Sequence, residues 1–191
     1  MPTIFLDTNT LYVLSSLENE LLNHLKEWID RNDVKLYTAY IQIDDMYSEE
    51  PSGYRTATES ALKQLKTKGI MVKSTDTKGI IFDISRLDLA EFSNDILDQV
   101  YDKLRNKLAD ETKRKGKNVN QLNMSRDASV ALTSLDFDYF ITCNKTLGET
   151  TEKIFNEDKD VLLREDKKIP QIYYTKAEPS EIAKAILTCA F

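Results

Sequence analysis

Histidine is almost absent from this chain of 191 residues. Its single copy, His24, leaves no material for a histidine-rich zinc site or a Cys/His cluster, and a Ser-His-Asp triad could run only through it. We read His24 itself as structural, on a helix beside Leu21, Leu25 and Trp28. Two cysteines, Cys143 and Cys189, lie far apart and make neither a disulfide framework nor a zinc ribbon. The five glycines stand at positions 53, 69, 79, 116 and 148, the closest pair ten apart, so no GxGxxG or Walker A loop can be written. No run reaches the roughly 18 apolar residues that span a membrane. The N-terminal segment lacks a basic leader and carries Asp7 inside its apolar run, which suits a buried strand and not a signal peptide. The expectation is a soluble, reduced, cytoplasmic protein with no membrane partner. Positive charge is outnumbered: 26 Lys and Arg against 32 Asp and Glu give a net charge of −6, which excludes a generic basic nucleic-acid coat but not a local basic track.

What is present suffices for one domain. Hydrophobic residues make up 41% of the chain and charged residues 30%, enough for a core and too apolar for disorder. Thr3–Leu6 is a short apolar run without alternation, as expected of a strand covered on both faces. A leucine period then predicts one helix over 10–32. Strands are expected at 35–38, 69–72, 139–143 and 171–175, with helices at 41–49, 54–68, 86–115, 120–135, 145–156 and 179–187. Short strands alternating with helices imply an α/β fold, a three-layer α/β/α sandwich around a mostly parallel sheet. Residues 1–191 read as a single domain, with about 75–120 as a helical elaboration.

In such folds the reactive groups gather at the carboxyl ends of the strands. Asp7 ends the first strand, followed by Thr8 and Asn9; an acid there is costly to desolvate, though Asp7 or Asn9 could equally cap the next helix. Asp45 lies one turn into the helix after the second strand, with Asp44 competing for the inward position. Asp127 sits at the edge of the stripe formed by Met124, Ala128, Ala131 and Leu135. Asn144 follows the fourth strand as Asp7 follows the first, and a helix cap explains it as well as a site role does. Three acids delivered to one end of one sheet must be neutralised. Without a His or Cys cluster, an all-oxygen site suits Mg²⁺ or Mn²⁺ and metal-assisted phosphate chemistry.

The segments Ile4-Phe-Leu-Asp7-Thr-Asn9, Ile43-Asp-Asp45-Met and Arg126-Asp127-Ala-Ser-Val-Ala131, the last running on through Asp138-Tyr-Phe-Ile-Thr142-Cys-Asn144, resemble a PIN-domain nuclease in order and rough spacing. So does the closing Ile172-Tyr-Tyr-Thr-Lys-Ala-Glu-Pro179. The resemblance implies a metal-dependent endoribonuclease, often the toxin of a toxin–antitoxin pair. It would make Asp7, Asp45 and Asp127 metal ligands, place Asn144 near the fourth acidic position, and give Thr8, Asn9 and Thr142 supporting hydrogen bonds. The chain departs from the pattern in having Asp for the usual Glu at 45, Asn at 144, and extra length over 75–121. RNA is the expected substrate; an antitoxin and a second copy of the chain are the partners this reading allows.

The stretch Lys103–Lys117 nets +5 within this acidic chain and leads toward Asp127, so a cationic surface could guide a phosphate backbone. Arg114, Lys115 and Lys117, with Lys145 beyond Asn144, are the substrate-binding candidates. Two other readings remain open. Asp7-Thr-Asn9-Thr10 also resembles the aspartyl-nucleophile motif of haloacid-dehalogenase-like phosphatases, although Asn9 replaces that family's second Asp. A PIN-like interaction module that lost its chemistry at Asn144 is the non-enzymatic reading.

Overall fold

The computed structural model describes residues 1–40, 53–76 and 95–189. It is an α/β fold around a five-stranded, all-parallel sheet: β1 (Thr3–Leu6), β2 (Lys35–Tyr40), β3 (Val72–Asp76), β4 (Tyr139–Thr142) and β5 (Gln171–Tyr174), in the order β3-β2-β1-β4-β5. The helices among the described residues are α1 (Thr8–Leu14), α2 (Asn19–Arg31), α3 (Gly53–Thr67), α4 (Asp95–Arg114), α5 (Gln121–Thr133), α6 (Lys145–Glu157), α7 (Lys159–Arg164) and α8 (Pro179–Thr188). The direction of chain progression reverses between β1 and β4, which makes the carboxyl ends of those two strands the natural ligand position.

Alternation along the strands builds two cores. Phe5 and Phe140 face one side with residues of α4, α5 and α6, while Ile4, Leu6, Leu36 and Ile141 face the other with α1, α3 and α8. Helices on both faces are compatible with the three layers expected. Phe5 stacks on Phe137 at 5.0 Å and meets Phe140 at 5.7 Å. Phe140→Ala should cost about 3–5 kcal/mol in urea unfolding, since the fully buried ring leaves a cavity between sheet and helices. A loss below about 1 kcal/mol would show that this core is loosely packed. Helix α4 contributes Leu97, Val100, Leu104 and Leu108 to the same core, so 95–114 of the expected elaboration packs into the domain against α5 and α6; residues 77–94 lie outside the described residues.

The structure differs from the sequence reading in three places. The helix expected over 10–32 is two. Ser15 and Ser16 turn their hydroxyls back onto the carbonyls of Tyr12 and Val13, and Lys68 donates to the carbonyls of Ser15 and Leu17 at 2.7 and 2.8 Å, holding the break open. The third strand starts at Val72 and not at 69. Gly69, at φ +82°, closes α3 with paired bonds from Gly69 N to Lys66 O and from Ile70 N to Leu65 O, and these occupy the expected start of the strand. The short α7 was not expected; Leu162 is its buried residue. The helix expected at 41–49 lies outside the described residues.

Candidate active site

The first strand delivers Asp7 directly into the cap of α1. Its backbone N–H bonds Ile141 O on the neighbouring strand at 3.3 Å, fixing the strand end before the chain turns. One carboxylate oxygen accepts from Thr10 N at 2.5 Å, and the other accepts from the Thr142 hydroxyl. Capping and strand-end placement therefore coincide in this residue, and Asp7 is only 3% exposed. Burial pushes its carboxyl above the usual range, against the hydrogen bonds from Thr142, Thr10 and Asn9. Two threonines brace the arrangement from behind: Thr142 Oγ1 accepts from Asn144 N, and Thr10 Oγ1 accepts from Cys143 N, both at 2.9 Å.

The second carboxylate comes from α5, whose buried residues include Met124, Ala128 and Ala131. Asp127 is half-buried at the edge of that face. Its oxygen lies 3.5 Å from the Asn144 amide nitrogen, while Asn144 Oδ1 caps α6 by accepting from Leu147 N at 3.3 Å. Burial first, and then the charge of Asp7, push the Asp127 carboxyl up to about 7, with Arg126 pulling the other way. Asp127 thus feels the charge of Asp7 across an open cavity of about 230 Å³. Asp7, Thr8, Asn9, Arg126, Asp127 and Asn144 line it. Thr8 Oγ1 is buried there without a hydrogen-bond partner among the described residues. The expected supports Thr8, Asn9 and Thr142 all stand at Asp7. Thr10 and Thr58 were missed. Thr10 acts through a contact from one strand end to the other that no local pattern signals, and Thr58 of α3 lines the cavity from across it.

Compared with protein-family models, curated proteins and solved structures, the chain matches none significantly. Fold and chemistry therefore carry the functional argument alone. Asp44 and Asp45, between which the sequence left the second ligand open, lie outside the described residues. Among the described residues no group of three or more His, Cys, Asp or Glu is placed to hold a metal, so Asp7 and Asp127 stand as a pair. No helix among them is long and apolar enough to cross a membrane.

The basic candidates separate. Arg114 pairs with Glu111 at 2.7 Å, and Lys145 pairs with Glu149 at 3.6 Å, both on exposed surface. Lys115 and Lys117 instead line a second cavity that shares Asp127 and Asn144 with the first. His24 is exposed on α2. Removing the Thr142 hydroxyl should matter more than its size suggests: Thr142→Val frees one oxygen of Asp7, and under the reading proposed below cation-dependent turnover should fall about 10–100-fold, the usual cost of losing the group that orients a ligand. Wild-type turnover in that variant would show that Asp7 needs no such brace.

Proposed function

We propose that the chain is a Mg²⁺- or Mn²⁺-dependent endoribonuclease of PIN-like type, acting in the cleft between Asp7 and Asp127. The observation that carries this reading is the convergence of two carboxylates, both pushed up by burial, on one open cavity at the reversal point of a parallel sheet. A buried Asp7 beside a half-buried Asp127 is costly for a fold in the ionised form, unless that form is used. The donors at hand are carboxylate, hydroxyl and amide oxygens, including the unpartnered hydroxyl of Thr8, and that set fits a hard cation. Asp7 and Asp127 would hold it. When bound, such a cation neutralises a phosphoryl oxygen and makes water more acidic.

The chain's own groups do the rest. Thr142 and Thr10 hold the Asp7 carboxylate in one orientation, so the ligand is set before substrate arrives. Asn144 donates toward Asp127 without adding charge, which suits one cation better than two. The reaction adds water to phosphorus in line with the departing 3′-oxygen. As the new P–O bond forms, the P–O3′ bond breaks; the water gives up one proton and the 3′-oxygen takes one up, so the products are a 5′-phosphate and a 3′-hydroxyl. The close fit of Asp7, 3% exposed with both oxygens hydrogen-bonded, favours a fixed ligand over the aspartyl nucleophile of a phosphatase.

The test is cleavage of a transcript pool by purified protein in millimolar Mg²⁺ or Mn²⁺ against EDTA, with thermal stability followed in parallel. Cation-dependent cleavage yielding 5′-phosphates and a rise in Tm with Mn²⁺ are expected, because a ligand of the native state alone must stabilise it. No Tm shift and no cleavage would leave the chain as an interaction module with a decayed site. A phosphate trapped on Asp7 would establish the phosphatase reading.

A further inference from the structure

The second cavity, about 240 Å³, adjoins the first through Asn123, Met124, Asp127 and Asn144. Its balance of charge differs. The first is lined by Asp7 and Asp127 against Arg126, whereas this one sets Lys115 and Lys117 against Asp127 alone, with Asn118, Asn120 and Thr146 completing its polar rim. The basic stretch leading to it is largely spoken for elsewhere. Lys103 pairs with Asp158, Arg105 with Asp102, and Lys107 and Arg114 with Glu111. Among the described residues that leaves Lys113, Lys115 and Lys117 without a carboxylate partner, and two of these three line the cavity. Lys115 is further held by donating to the Thr146 hydroxyl. Gly116, at φ +68°, ends α4 with bonds from Gly116 N to Lys113 O and from Lys117 N to Thr112 O, and so carries the chain round between the two lysines.

Two helices begin at this rim. Asn120 caps α5 by accepting from Asn123 N, and Asn144 caps α6. Both helix N-termini add positive potential to that of the lysines, so the cavity favours an anion beside the acidic site. None of its lining residues is aromatic, which removes the stacking platform that binds bases without regard to sequence. The side-chain amides of Asn118 and Asn123 remain, and an amide presents a donor and an acceptor together, the pairing that distinguishes one base edge from another.

We propose that this cavity is a specificity subsite for the nucleotide flanking the scissile bond of a single-stranded RNA: Lys115 and Lys117 hold its phosphate, and Asn118 and Asn123 read its base. The inference rests on the ribonuclease reading for the word scissile, but the binding it asserts does not need the cation.

It is tested by fluorescence anisotropy with labelled hexaribonucleotides of A, C or U in EDTA, between 50 and 200 mM KCl. Lys115→Ala combined with Lys117→Ala should weaken binding about tenfold and flatten the salt slope by about 1.4, roughly 0.7 for each lost phosphate contact on a single strand. Lys113→Ala removes an equally unpaired charge from the same helix end outside the cavity, and should move the slope far less. Asn118→Ala with Asn123→Ala should keep the wild-type slope while erasing the preference among the three oligomers. The subsite is overturned if the double lysine variant matches either wild type or Lys113→Ala, or if wild type binds no hexamer or binds all three equally. Binding that behaves as expected in a protein that cleaves nothing with Mg²⁺ or Mn²⁺ would uphold the subsite and sink the nuclease reading alone.

Discussion

Asp7→Asn is expected to abolish cation-dependent cleavage while leaving the fold intact. The loss should exceed the roughly 10–100-fold that follows from disturbing a group behind a ligand, because here the ligand itself loses its charge. The structural reason for an intact fold is that asparagine can keep both bonds. Its carbonyl oxygen can accept from Thr10 N in the capping role that Asp7 now fills, and the Thr142 hydroxyl can rotate to accept from the new amide. The substitution also removes a buried charge, so urea stability should hold or rise. Circular dichroism, unfolding and cleavage measured on one preparation would separate the effects. Cleavage undiminished in a folded Asp7→Asn protein would end the assignment of this cleft as the catalytic site.

Asp7 was legible because the chemistry of its neighbourhood is local. Three consecutive residues, Ile4, Phe5 and Leu6, that bury on both faces of a sheet leave the next residue at the carboxyl end, whatever the rest of the chain does. Asp127 was legible for a similar reason: it borders a stripe in which Met124, Ala128, Ala131 and Leu135 are all buried, so its half-burial follows from helix periodicity. What stayed hidden depends on partners distant in sequence. The leucine period runs unbroken through Ser15 and Ser16, and the break there is held by Lys68, a residue just beyond the end of α3. The +5 stretch was visible as charge, but Asp158 neutralises Lys103 from beyond α6, and only the fold shows which lysines remain to act. Asn144 offered cap or site as alternatives, yet its two side-chain atoms serve different purposes. The oxygen caps α6 and the nitrogen faces Asp127.

The second large effect concerns the protein without any cation. Asp127 is held at about 7 in the native state against an ordinary carboxyl value of 3.8, so the native state binds its proton more tightly than the unfolded chain does. The stability this contributes is fully present below the unfolded value and is lost as pH rises through about 7. In EDTA the protein should therefore lose on the order of a few kcal/mol between pH 5 and pH 8.5, read by urea unfolding at constant ionic strength. Asp7, shifted in the same direction by burial, adds to the loss with the same sign. Asp127→Asn removes the titrating group, so the variant should be more stable than wild type at pH 8.5 and nearly equal to it at pH 5. Saturating Mn²⁺ should reverse the wild-type trend, because a cation held by ionised carboxylates binds more tightly as their protons leave. The variant, deprived of half the pair, should show little of that rescue. A wild-type stability that does not change between pH 5 and 8.5 in EDTA would mean that Asp127 ionises freely, and that the two carboxylates are not the strained pair that calls for a cation.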